Sequence, residues 1–142
     1  MMGRMPGVTL EAKAEILRAA YGFMMSRPGK KLLFMGQDYG QIDEWNENAS
    51  LEWALLKYPL HKNMQTYVRE LNKLYHAHPA LYEQDFDTEG VEWINCSYHE
   101  ESMIMFLRRG KEETLLCVCN FDNMDHEKFR LGVPFAGKYK EI

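Results

Sequence analysis

The sequence has no basic tract. Its 17 Lys and Arg are outweighed by 21 Asp and Glu, a formal net charge of −4, and basic residues stand side by side only as the pairs Lys30–Lys31 and Arg108–Arg109. A nucleic-acid partner needs clustered Lys and Arg to neutralise phosphates, so that class is set aside. Long apolar runs are also missing. None approaches the ~20 residues of a membrane helix, and Met1–Leu10 lacks the apolar stretch of a signal peptide, which points to a cytoplasmic protein without a membrane partner. Cysteine is scarce and odd in number, three in all, which argues against a disulfide framework. Cys117 and Cys119, two apart in an apolar run, are expected on one face of a strand as buried, reduced thiols. No further ligands at suitable spacing accompany them, so no metal and no cofactor are expected.

What is present is the composition of a folded chain. At 46% hydrophobic and 13% aromatic residues, the sequence lies far from the low-hydrophobicity, high-charge regime of disorder. Thr9 is placed to cap a helix from Leu10, Glu11 favours its first turn, and Ile16, Leu17, Ala20, Phe23 and Met24 recur at helical spacing until Arg27-Pro28-Gly29 stops it. Lys31-Leu-Leu-Phe-Met35 follows without alternation, which predicts a strand buried on both faces, breaking at Gly36 into the polar loop Gln37–Asn46. Ser50 can cap a short helix over Leu51–Lys57, with Pro59 closing it. Met64, Tyr67, Val68, Leu71, Leu74 and Tyr75 then form the apolar face of a helix that ends at His78–Pro79; His76 and His78 read as capping or solvated residues.

From Phe86 the period changes. Val91 and Trp93 alternate with polar neighbours, Met103–Leu107 and Thr114–Phe121 are apolar and separated by a turn around Gly110, Lys128–Val133 alternates again, and Tyr139–Ile142 has the look of another strand. These predict antiparallel strands, with Trp93 in their core. The fold class expected is α/β plus all-β, with the boundary between residues 1–85 and 86–142.

Several stretches, in order, carry a family resemblance. Gly29-Lys-Lys-Leu-Leu-Phe-Met-Gly-Gln-Asp-Tyr-Gly-Gln41, Glu44-Trp-Asn46 with Ser50-Leu-Glu-Trp-Ala-Leu-Leu56, and Arg69-Glu-Leu-Asn-Lys-Leu-Tyr75 with Pro79-Ala-Leu81 and Asp85-Phe86 resemble the end of the catalytic barrel of bacterial 1,4-α-glucan (glycogen) branching enzymes. Val91-Glu-Trp-Ile94, Phe106-Leu-Arg-Arg-Gly110 and Val118-Cys-Asn-Phe121 resemble the start of that family's C-terminal β-domain, and Gly3-Arg-Met-Pro-Gly7 the segment after its last catalytic motif. The resemblance implies the C-terminal end of a (β/α)8 barrel followed by an antiparallel β-sandwich domain, and a transferase of the α-amylase superfamily that cleaves α-1,4-glucan and re-attaches the fragment as an α-1,6 branch. Such a retaining reaction needs two carboxyl groups about 5 Å apart. The family's Gly-x-Arg-x-Asp nucleophile motif and its His-Asp pair do not occur here. No catalytic residue is therefore expected in this chain, and the N-terminal part of the same enzyme, which would carry them, is the expected partner beside an α-glucan.

In parallel α/β barrels, loops at the C-terminal strand ends build the active site, and Gln37–Asn46 occupies that position. Gln37 and Asp38 are candidate hydrogen-bonding groups toward a glucosyl unit. Asp38 stands where the family usually has a glutamate, one methylene longer. Trp45 is a candidate stacking platform, and Asn46 could orient the loop. The structural alternative is that all four only hold the loop, while Trp53 packs in the barrel wall. Competing readings are a related hydrolase such as a trehalose-releasing one, a stand-alone glucan-binding module, and a purely structural segment.

Overall fold

The structure, a computed structural model, describes residues 2–95 and 102–142. Helix α1 (Leu10–Ser26) begins as expected. The Thr9 hydroxyl oxygen accepts from the Ala12 N–H at 3.2 Å, and Glu11 lies in the first turn, facing the positive end of the helix dipole. Pro28 keeps Arg27 extended (φ −74°, ψ 154°) and ends the helix. The buried stripe is Ala14, Leu17, Tyr21 and Met25, rotated from the expected one, and Ile16 is exposed. The rotation arises because α1 serves two neighbours. Ala14, Leu17 and Tyr21 join Met64 and Val68 in one core cluster, while Phe23 turns the other way and meets Phe106 and Phe121 edge-on, at 6.3 and 5.3 Å between ring centres.

The strand expected over Lys31–Met35 is not formed. The backbone there pairs with no strand among the described residues, and Leu32 is 74% exposed, although Leu33 still packs against the helical core. A strand exists only through a ladder to a neighbour. This stretch also runs directly into left-handed backbone at Met35 (φ 34°) and Gly36 (φ 79°), which no ladder continues.

Ser50 does not cap a helix; the chain makes a 3₁₀ turn over Trp53–Lys57 with no side-chain cap. That turn does end at Lys57, ahead of Pro59, and Pro59 is also the first residue of α2 (Pro59–Ala77), the position where a missing N–H costs nothing and a fixed φ helps. His61, Met64 and Val68 are buried along its inner face, with Tyr67 and Leu71 partly so. His76 is exposed, as read, and His78 is the C-cap of α2, also as read, its side chain paired with Glu113, Nδ1 to Oε1 2.6 Å.

Beyond a short 3₁₀ turn at Thr88–Gly90, β1 (Val91–Asn95), β2 (Met103–Arg109) and β3 (Thr114–Asn120) form an antiparallel sheet in the order β1-β2-β3, as the alternation predicts. Trp93 pairs with Phe106 and Met105 with Val118, and the β1–β2 register shifts at a bulge between Trp93 and Asn95. β2 does not alternate because it is central and covered on both faces: Met105, Phe106, Leu107 and Arg108 are all buried. Trp93, expected in the core, is 49% exposed. It packs edge-on against Phe106 at 5.5 Å and lines a shallow groove with Met105 and residues 131–134. The strands expected at Lys128–Val133 and Tyr139–Ile142 are absent. Both stretches are irregular, Lys128 has a left-handed φ of 56°, and neither pairs with β1 or β3, the two edges of the sheet. No helix among the described residues is long and apolar enough to cross a membrane.

Arg108, fully buried, ties these parts together. Its Nη1 donates to the Ser26 carbonyl at the end of α1 (2.8 Å), its Nη2 to the Leu81 carbonyl (3.0 Å) and the Asp85 carboxylate (2.5 Å), and its Nε to the Gly90 carbonyl (3.4 Å). Asp85 is itself almost wholly buried. Breaking such a pair from one side leaves an uncompensated charge, which costs about 3–5 kcal/mol. Arg108→Ala should therefore lower the unfolding free energy from urea titration by that amount, and Arg108→Lys should recover little of it, because an ammonium cannot reach the same fork of acceptors.

Cys117 and Cys119 are free, on one face of β3 opposite Phe106 and Ile104; Cys96 lies outside the described residues. Burial pushes the Cys117 thiol up to about 12, with the neighbouring Cys119 adding to the rise. Above pH ~9 an unfolded chain gives up a thiol proton that the folded chain keeps, so rising pH favours unfolding until the folded group also titrates. Stability should fall between pH 9 and 12, and Cys117→Ala should flatten part of that fall when urea midpoints are compared across the range.

Candidate functional site

Two glycines shape the loop that the sequence singles out. Gly36 (φ 79°) and Gly40 (φ 68°) bracket a 3₁₀ turn over Gln37–Tyr39, both in left-handed conformations where a side chain is strained. A Cβ on Gly40 would also lie 2.4 Å from the Met2 methyl. The turn is closed by the Gly40 N–H on the Gln37 carbonyl (3.1 Å) and the Gln41 N–H on the Gly36 carbonyl (2.9 Å).

Inside that frame, Tyr39 is fully buried. Its hydroxyl donates to Gln41 Oε1 at 2.8 Å, and the same oxygen accepts the Glu52 N–H at 3.1 Å. The Tyr39 carbonyl lies 2.9 Å from His61 Nδ1 in α2; since a carbonyl can only accept, that nitrogen carries the proton. Burial raises the Tyr39 hydroxyl above the ordinary phenol value, and the charges of Asp38 and Glu52 raise it further. Tyr21 of α1 donates to the Gln37 carbonyl at 2.8 Å, and burial, with Asp38 behind it, brings its hydroxyl to about 12. The loop is thus fastened to α1 through Tyr21 and to α2 through His61.

The four candidates divide. Gln37 and Asp38 are half-buried and occupied: Gln37 Oε1 accepts the Phe34 N–H at 3.0 Å, and Asp38 Oδ2 accepts from Gln65 Nε2 of α2 at 3.3 Å. Trp45 is 48% exposed and meets Phe34 edge-on at 5.6 Å, so Gln37 and Trp45 come together through Phe34. Asn46 is exposed and closes its own turn, its Oδ1 accepting the Asn48 N–H at 2.9 Å. Asp38 is turned toward α2 instead. Sequence reasoning missed Gln41, Glu52 and His61. Of these only His61 carried a signal, three residues before Met64 and seven before Val68 on the buried face. Trp53 corrects another expectation: it is 56% exposed, its ring 5.7 Å from that of Tyr39 and tilted by 35°. Among the described residues no group of three His, Cys, Asp or Glu is placed to hold a metal ion.

The arrangement offers aromatic surface beside fixed acceptors, which suits binding of a polyhydroxylated ligand. The comparisons agree with the family resemblance. Residues 93–142 match the sequence profile of the alpha amylase, C-terminal all-beta domain. Over 144 aligned positions and the whole of the chain, it is 44% identical to the 1,4-alpha-glucan branching enzyme GlgB of Geobacillus stearothermophilus, 47% to that of Rhodospirillum rubrum and 45% to that of Aquifex aeolicus. The chain spans 22%, 19% and 23% of those proteins, about a fifth of the length of the curated relatives it matches.

Gln41→Leu should unfasten the loop, leaving the buried Tyr39 hydroxyl and the Glu52 N–H without their shared acceptor. A cost of about 1–3 kcal/mol is expected, measured by thermal or urea unfolding, whereas Gln41→Glu, which keeps an acceptor, should lose less.

Proposed function

We propose, from a likeness to bacterial glucan branching enzymes that runs the whole length of the chain, that this sequence supplies the glucan-binding end of a branching transferase. The polypeptide that contains it would cleave an α-1,4-glucan and re-attach the fragment as an α-1,6 branch, in the cytoplasm. The single observation that carries the reading is the 44–47% identity to proteins of that name across every part of the chain, helical and β alike. Residues 1–85 are assigned to the last portion of a (β/α)8 barrel and 86–142 to the following β-domain. The uncovered apolar side chains of Leu32, Phe34 and Met35 support the first assignment, since a barrel strand without its neighbours leaves such groups bare.

In this reading the loop Gln37–Asn46 binds and does not cut. Acid and nucleophile must flank one glycosidic bond, and two of the loop's three acidic groups are otherwise disposed, Asp38 on Gln65 and Glu44 on Arg4 at the surface (3.1 Å), with Asp43 exposed. The carboxylates that break and form bonds are assigned to sequence outside this chain. Trp45, with its indole accessible, is assigned sugar contact.

The chain should bind maltoheptaose and show no turnover on amylose in iodine-stain and reducing-end assays. Trp45→Ala should weaken maltoheptaose binding about tenfold, equivalent to ~1.4 kcal/mol, without moving the melting temperature. Turnover above a buffer control would place catalytic groups inside this sequence, and a lower melting temperature with unchanged affinity would make Trp45 a loop-packing residue.

A further inference from the structure

Trp53 lies outside the Gln37–Asn46 loop, on the turn Trp53–Lys57, yet it is more exposed than Trp45. We propose that Trp53 is a second stacking platform for an α-1,4-glucan, extending the contact surface beyond Trp45; this rests on the glucan-binding reading above.

Three observations converge on it. The first is orientation. The indole lies 5.7 Å from the Tyr39 ring and is tilted from it by 35°, and while Tyr39 is fully buried, Trp53 is 56% exposed, so much of the indole is open to solvent. An accessible ring face is what the apolar face of a pyranose requires. Trp45 meets Phe34 nearly perpendicular, at 87°.

The second is rigidity. Tyr39 is held at its hydroxyl by Gln41 and at its carbonyl by His61. The residue before Trp53 is fixed by its N–H on the same Gln41 oxygen (3.1 Å), and its carbonyl accepts the Leu55 N–H (3.0 Å). A platform ordered before the ligand arrives spares the ordering cost that weakens flexible sites.

The third is the polar setting. Glu52 is exposed beside Trp53 in the chain, and its charge acts on the hydroxyl of Tyr39, the ring next to the indole. Carboxylate acceptors next to an aromatic plane are suited to sugar hydroxyls, which donate to them. They are poorly suited to an apolar protein surface, which would leave the carboxylates desolvated and unpaired.

The test is titration of the 142-residue chain with maltoheptaose, followed by calorimetry, with cellohexaose as the β-linked control. Trp53→Ala should weaken maltoheptaose about tenfold while circular dichroism and melting stay unchanged, and Trp53→Phe should restore most of the loss. Trp53→Leu keeps an apolar cover on Tyr39 without a stacking plane, so it should bind as weakly as the alanine variant even if the latter is partly unfolded. Wild-type affinity in Trp53→Leu together with a loss in Trp45→Ala would overturn the second platform and leave the loop reading intact. Absence of maltoheptaose binding by the unmodified chain, or equal affinity for cellohexaose, would overturn the loop reading and this proposal with it.

Discussion

The buried guanidinium of Arg108 is the interaction on which the arrangement of this chain most depends. It sits on the central strand of the sheet, and four of its N–H groups are met by three backbone carbonyls and one carboxylate drawn from four separate places: the end of α1, the turn after α2, Asp85, and the turn before β1. Leu81, Asp85 and Gly90 lie close together in sequence, and Ser26 lies far from all three. Hydrophobic packing alone, such as Phe23 against Phe106 and Phe121, would bring helix and sheet together without fixing their angle, because it is non-directional. A planar fork of donors fixes direction as well as distance. Its desolvation cost is tolerable only with every acceptor present, so the parts must arrive in one geometry.

A smaller version of the same logic holds the candidate site. Gln41 is buried, and one amide oxygen serves both the Tyr39 hydroxyl and the Glu52 N–H. Trp45 and Trp53, two of the tryptophans offered to solvent, are consequently carried on residues that are themselves held. Trp53 rests on Tyr39, and Trp45 on Phe34, whose N–H is held by Gln37. Gln37 and Asp38 thereby act as loop supports, and the exposed chemistry passes to the aromatic rings and to carboxylates at the surface.

How much of this could be read from the sequence follows from how local each signal is. Thr9 as a cap, Pro28 as a stop, and the three strands from Val91 to Asn120 are set by neighbours within a few residues, and each is found where the pattern places it. Lys31–Met35 and Lys128–Val133 show that an apolar or alternating run is a necessary condition for a strand and not a sufficient one, since the ladder comes from elsewhere. Arg108 was legible only as half of a basic pair flanking a strand. Nothing in Leu107-Arg108-Arg109-Gly110 says that one arginine is fully buried and the next half-exposed, because that depends on carbonyls 18 to 82 residues away. The loop Gln37–Asn46 was found by position and composition, but the division of labour within it required the partners Phe34, Gln65 and Tyr21, which no periodicity reveals.

The change of period near residues 84–89 also bears on how the helical and β portions act on each other. The switch from helical to alternating pattern falls where the Arg108 side chain reaches across, with Ser26, Leu81 and Asp85 on one side and Gly90 on the other. His78 and Ala80 add a second crossing to Glu113 in the β2–β3 connection, and the Lys111 N–H a third to Glu83. These contacts are all at the α2 end remote from His61, which anchors the loop. α2 is therefore clamped at both ends, by the sheet at its C-terminal end and by Tyr39 near its N-terminal one. With the helix held as one rigid rod of 19 residues, the β portion contributes to the stability of the Gln37–Asn46 loop without touching it. The geometry of the Gln37–Asn46 loop thus rests on a scaffold fastened well away from the loop itself.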